Sequence, residues 1–215
     1  MSVVGIVAEF NPLHNGHKFL LETAKKYGTV VCVISGNFVQ RGDTAIVEKG
    51  VRAQMALKCG ADLVAELPVC YSMSTAQNFA LGAVSILDAL GCDMLLFGSE
   101  CGEVDILRKA SSILESQEFS QKLPLNLNGG ITFAKARQIT AEQLGVEKGI
   151  LQGANNNLAI EYITACHNIG SKMQFKTVKR AGATHDSREI DEKFVSASLL
   201  REKLLQNDLE FAKKY

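Results

Sequence analysis

Short apolar, β-branched runs alternate along the chain with segments whose apolar residues recur at helical spacing. Residues 3–8 form such a run and read as a buried strand. Pro12 ends the extended stretch after it, because proline fixes φ and donates no backbone hydrogen bond. Residues 16–26 carry Phe19, Leu20 and Ala24 at helical spacing, and Gly28 stops that helix. The same alternation predicts strands over 29–34, 63–67, 93–97 and 174–178. It predicts helices over 48–58, 75–90, 104–114 and 158–166, with a last one starting near Ser198. Between 120 and 153 the pattern weakens, apart from a helix around 133–144.

Strands that alternate with helices of this length imply right-handed crossovers and a parallel sheet, so the fold class is α/β. Ligands bind beyond the carboxyl ends of such strands. The polar loops at 9–17, 35–43, 98–103 and 180–188 each follow a strand and therefore share one rim. The chain shows no linker-like tract, charge block or repeat, and reads as one domain over 1–215, with an insertion or subdomain expected around 120–155.

Composition narrows the function. At 215 residues, 47% hydrophobic and 21% charged, the chain is that of a globular protein, which excludes disorder, collagen-like repeats and coiled coil. Lys plus Arg and Asp plus Glu number 23 each, so binding of nucleic acid through bulk positive charge is excluded, while local basic patches stay open. Apolar runs are short and broken by charge, so no membrane span is expected. The first residues lack a basic stretch followed by a long apolar core and do not read as a signal peptide. Six cysteines, none in a Cys-x-x-Cys pair and most in apolar surroundings, read as reduced, mostly buried thiols of a cytoplasmic protein.

The chemistry lies in the rim loops. His14 and His17 are three residues apart at a helix start and share one face. Gly16 between them lets a ligand approach the backbone. The helix N-terminus adds free N–H groups and partial positive charge, a phosphate site beside two imidazoles that could stabilise charge growing in a transition state. On spacing alone, a plain helix cap with two surface histidines stands equal to that reading, and a zinc site lacks a third ligand nearby in sequence.

His14-Asn15-Gly16-His17 after a first strand resembles the HIGH-type signature of the nucleotidyltransferase and class I synthetase superfamily. Val195-Ser196-Ala197-Ser198-Leu199-Leu200-Arg201 resembles its Ile-Ser-Ser-Thr-x-x-Arg element. A longer likeness is to the tRNA(Met) cytidine acetate ligase family. It runs in order through the segments 5–17, 34–42, 62–68, 97–100, 155–162 and 180–186 and covers nearly the whole chain.

That resemblance implies a Rossmann-like HIGH-type nucleotidyltransferase fold. It implies a two-step reaction, in which acetate and ATP give acetyl-adenylate and the acetyl group passes to N4 of the wobble cytidine of elongator tRNA(Met). Val7, Ala8, Glu9, Phe10, Asn11, Pro12, Leu13, His14, Asn15, Gly16, His17, Lys18, Phe19 and Leu20 would surround ATP, with His14 and His17 as catalytic residues next to its phosphates. Gly98, Asn155 and Arg180 would contact the nucleotide, and Ser198 and Arg201 would hold phosphates. Mg2+ is expected with the ATP, and no metal held by the protein alone. Taken singly, these positions read as a strand-end turn, a helix cap, a surface arginine and a serine cap.

Arg41 and Arg52 are candidates for acetate or tRNA contact, although each also reads as a solvated charge, and His185-Asp186 for an oriented imidazole. Two features depart from the family. Ala154 stands where a proline is usual, and members run to almost twice this length, so their C-terminal, tRNA-gripping part is expected to be missing here. A small-molecule adenylyltransferase of the pantetheine-phosphate or nicotinamide-mononucleotide kind, and a catalytically idle ATP-binding module, are the competing readings.

Overall fold

A computed structural model describes residues 2–40, 42–127, 130–180 and 195–215. Five parallel strands, β1 (Ser2–Ala8), β2 (Gly28–Ser35), β3 (Leu63–Leu67), β4 (Met94–Ser99) and β5 (Gln174–Lys179), lie in the order β3-β2-β1-β4-β5. The five strands expected from the apolar runs are all present. The helices are α1 (Asn15–Lys25), α2 (Lys49–Lys58), α3 (Val69–Ser72), α4 (Ala76–Ala89), α5 (Val104–Leu114), α6 (Gln117–Leu127), α7 (Phe133–Gln143), α8 (Ala154–Ile169), α9 (Ala197–Leu205) and α10 (Leu209–Lys214), with a 3-10 turn at Ile150–Gln152.

Side chains alternate across the strands, so each face has its own core. On one face Val4, Ile6, Val30, Cys32 and Ile34 meet Leu21 and Ala24 of α1 and Ala56 of α2. On the other Val31, Val33, Leu95 and Phe97 meet Phe79, Ala83 and Leu87 of α4, Leu107 of α5, and Ile160, Tyr162 and Ile163 of α8. The chain changes face between β3 and β4. The neighbours β1 and β4 are therefore followed by helices on opposite faces, which opens a crevice at their carboxyl ends, the switch point of the sheet.

Several features go beyond the sequence pattern. Helix α6 carries Pro124 within it, and its apolar spacing is irregular. Helix α8 starts at Ala154, four residues before the expected 158, because Asn155, Asn156 and Asn157 form its first turn. Ala141, Val146 and Ile150, from the weakly patterned stretch, and Phe119 just before it join the α4/α8 core. All six cysteines are free, but only Cys32, Cys92 and Cys166 are buried, and Cys70 is exposed. Among the described residues no helix is long and apolar enough to cross a membrane.

Candidate nucleotide site

A cavity of about 580 Å³ fills the crevice beyond β1 and β4. Of the residues expected around ATP, Val7, Ala8, Glu9, Phe10, Asn11, His14, Gly16, His17, Phe19 and Leu20 line it, and so do Gly98, Asn155, Arg180, Ser198 and Arg201. Four others lie off its wall. Pro12 is buried behind the loop, and Leu13 packs on the α1-side core. Asn15 donates its amide to the Tyr215 carbonyl (2.7 Å), and Lys18 points to solvent beside Glu22.

The loop after β1 builds the histidine pair. Phe10 is fully buried and adopts φ 48°, a conformation uncommon for a residue with a side chain. Its ring meets His17 edge-on with centroids 5.1 Å apart. Asn11 is buried, and its Oδ1 accepts from the Ile46 amide (2.9 Å), which pins the loop. His14 is the N-cap of α1, and its Nδ1 accepts from the Gly16 amide at 3.0 Å. A Cβ at position 16 would lie 2.9 Å from the His14 ring, so here the glycine makes room for the capping imidazole.

With Nδ1 accepting, a neutral His14 carries its proton on Nε2. Burial first, then the Arg180 charge, pushes the His14 pKa down to about 4. Burial, the neighbouring His14 and Arg180 also hold His17 well below the usual histidine range. Both imidazoles are thus neutral at neutral pH. Nδ1 of His17 is buried and has no hydrogen-bond partner among the described residues.

The opposite rim is built by a relay. Glu100 follows β4 and accepts at the start of α8 from Asn155 N (3.1 Å), Asn155 Nδ2 (2.7 Å) and Asn156 N (2.7 Å). These bonds to the carboxylate hold its pKa below the usual range against its partial burial. Asn155 Oδ1 then accepts from Arg180 Nη1 at 3.2 Å, at the end of β5. Between these groups Gly98 has no side chain, and a Cβ there would come within 3.4 Å of the Arg180 stem. Arg201 of α9 donates to the Asn11 carbonyl (2.9 Å) and to Ser198 Oγ (3.0 Å), tying the start of α9 over the cavity.

Arg52 corrects an expectation. It is completely buried and donates to the carbonyls of Val47 (2.9 Å), Glu9 (2.5 Å) and Gly36, so it braces the loops after β1 and β2 and cannot touch acetate or tRNA. Arg41, His185 and Asp186 lie outside the described residues. Among the described residues no cluster of three or more His, Cys, Asp or Glu is placed to hold a metal ion.

Sequence reasoning passed over the cavity wall on the α4/α8 side: Val39 and Gln40 of the loop after β2, Ala76 and Phe79 of α4, and Leu158 and Tyr162 of α8. The one available signal was Tyr162 itself, a side chain with a polar tip on an otherwise apolar helix face.

Comparisons with known proteins bear on the family and the fold. The family model described as HIGH Nucleotidyl Transferase matches residues 1–215. The tRNA(Met) cytidine acetate ligase of Thermoanaerobacter sp. (strain X514) is 47% identical over 225 residues, covering 100% of this chain and 56% of that protein. The protein of the same name from Caldanaerobacter subterraneus subsp. tengcongensis is 45% identical, with the same coverage. The chain spans about half the length of these curated relatives. Crystal structures of Thermotoga maritima TmcAL, 34% identical, superpose with TM-scores of 0.92 (apo, form I) and 0.88 (bound with alpha-thio ATP, form II). Each comparison covers 100% of this chain and, respectively, 54% and 53% of that one.

Proposed function

This chain belongs to the HIGH nucleotidyltransferase family, and from that premise we propose that it carries out acetate activation by ATP and acetyl transfer to N4 of the wobble cytidine of elongator tRNA(Met). The observation that carries the reading is the cavity at the switch point. It gathers a neutral histidine pair, the Asn155–Arg180 rim and the Ser198–Arg201 cap around one space, in a chain whose relatives bear that ligase name. The solved relative bound with alpha-thio ATP supports the choice of nucleotide.

In this reading a carboxylate oxygen of acetate attacks the α-phosphorus of ATP, a P–O bond forms, and pyrophosphate leaves with the electron pair of the broken P–O bond. Both partners are anions, so the site must offset their repulsion while it orients them. His14, with its proton on Nε2, and His17, with its waiting Nδ1, are the hydrogen-bonding groups beside the phosphates. Arg180 and Arg201 supply fixed positive charge on the two sides. Mg2+ would accompany the phosphates of ATP. The described side chains form no cage for it, and no step here runs through it. Cytoplasmic work suits the six free thiols.

The test is pyrophosphate release from ATP with and without acetate, followed by transfer of labelled acetyl to a transcript of elongator tRNA(Met). Release that needs acetate, with label reaching the cytidine, is the expected result. Release without acetate dependence returns the site to a small-molecule adenylyltransferase, and no release to an idle nucleotide-binding module.

A further inference from the structure

We propose that the α4/α8 side of the cavity is the seat of the acceptor cytosine, with the Glu9 carboxylate taking the proton that its exocyclic amine must lose. This rests on the acetyl-transfer reading above.

The cavity has two unlike walls. His14, His17 and Leu20 belong to α1, on the Val4/Ile6 face of the sheet. Phe79 of α4, Leu158 and Tyr162 of α8, and Phe97 of β4 belong to the opposite face, and the Phe97 and Tyr162 rings lie 6.1 Å apart. A histidine-and-phosphate site accounts for the first wall only. The second is an aromatic and aliphatic recess, and Glu9, Gln40, Asp43 and Thr44 are among the polar residues that also line the cavity. Glu9 Oε1 accepts from the Gln40 amide at 2.8 Å, which leaves acceptor capacity on the carboxylate. The Tyr162 hydroxyl, whose pKa is raised by burial and by the Glu9 charge, stays protonated and is a donor.

An acceptor and a donor that line one cavity between apolar walls suit a base taken out of its stack. Cytosine offers an N4 amine that donates to Glu or Asp, with the N3 and O2 acceptors next to it. Acetate does not suit this recess, because its charge repeats that of Glu9, whereas Lys179 and Arg180 lie on the β5 side of the cavity.

The chemistry also needs a base at this position. The N4 lone pair is delocalised into the ring and attacks poorly while both protons remain. As N4 attacks the acetyl carbonyl carbon, a C–N bond forms and one N4 proton passes to Glu9. The C–O bond to the adenylate then breaks, and AMP leaves with that electron pair. The product amide keeps the other proton.

The experiment measures, on the same preparations, acetate-dependent ATP–pyrophosphate exchange and single-turnover acetyl transfer to an anticodon-stem hairpin with cytidine at the wobble position. Glu9→Gln should slow transfer about 100-fold, in the range of a lost general base, and exchange much less. Glu9→Asp should recover part of the transfer. Tyr162→Phe, which keeps the packing, should raise the hairpin concentration for half-maximal transfer about fivefold, as for one lost hydrogen bond. Equal loss of exchange and transfer in Glu9→Gln would mean that Glu9 serves the adenine, which also carries an exocyclic amine, and overturns the proposal. Transfer undiminished in Glu9→Gln, an unmoved half-maximal concentration in Tyr162→Phe, or wild-type exchange without any transfer overturns it as well. Absence of acetate-dependent exchange in the wild type instead overturns the ligase reading beneath it.

Discussion

The rings of His14 and His17 stack with centroids 3.8 Å apart and planes 24° from parallel. Two imidazoles this close cannot both be charged cheaply, and burial disfavours even one charge. The pair is therefore held neutral, with the His14 Nδ1 accepting from its own helix and the His17 Nδ1 without a hydrogen-bond partner among the described residues.

Substitution of His17 should separate binding from turnover. In the proposed reaction its interaction would strengthen as charge grows on the phosphate, so His17→Ala should lower the rate of acetate-dependent pyrophosphate release about 100-fold or more, with a much smaller change in ATP affinity. Steady-state kinetics together with equilibrium ATP binding reads both. Equal losses in rate and affinity would remove the transition-state role.

His14 makes stability depend on pH in a defined direction. Its folded pKa of about 4 lies below the unfolded 6.5, so the unfolded chain binds the proton first as pH falls. Its contribution is complete above pH 6.5 and declines toward pH 4. By pH 5 the loss should be about 2 kcal/mol. Urea unfolding at pH 7.5 and pH 5 should show a loss smaller by about that amount in His14→Asn, which keeps a capping side chain. An identical loss in the variant would contradict the assignment.

Arg52 shows where sequence reading stops. Pattern reasoning recovered the five strands and most of the helices, because alternation and helical spacing record which side chains are buried. It also placed the loops after β1, β2 and β4 on one rim, because loops after parallel strands lie there. Arg52 reads as a solvated charge, yet its partners are the carbonyls of Val47, Glu9 and Gly36, and backbone acceptors leave no mark in a sequence. Tyr162 was missed for a similar reason. It lines the same cavity as Glu9, 153 positions away in the chain, and such long-range proximity leaves no local pattern. Helix α6 hides behind Pro124, normally a helix breaker.

Arg52→Lys should be costly for stability. An ammonium cannot reach three carbonyls set around a planar guanidinium, so buried acceptors lose their donors, at about 2–4 kcal/mol in all. Chemical denaturation measures this. A change below about 0.5 kcal/mol, as for a surface residue, would show that the side chain is solvated.

Glu100 links the start of α8, through Asn155, to Arg180 on the cavity wall. Glu100→Gln should cost about 1–2 kcal/mol through weaker capping bonds, and it should raise the ATP concentration for half-maximal exchange as Asn155 and Arg180 loosen. The wild-type contribution is present above the unfolded carboxyl pKa and is lost as pH falls through the depressed folded value. Lower stability with unaltered ATP dependence would break the relay from Glu100 to Arg180.

The most direct measurement follows one oxygen. With acetate labelled by 18O in both carboxylate positions, attack on the α-phosphorus and later cleavage of the acetyl C–O bond should leave a single 18O in the phosphate of AMP, and only when acetate is present. AMP without label, or ADP in place of AMP, would show that acetate never joins the α-phosphorus and would contradict the acetyl-adenylate account.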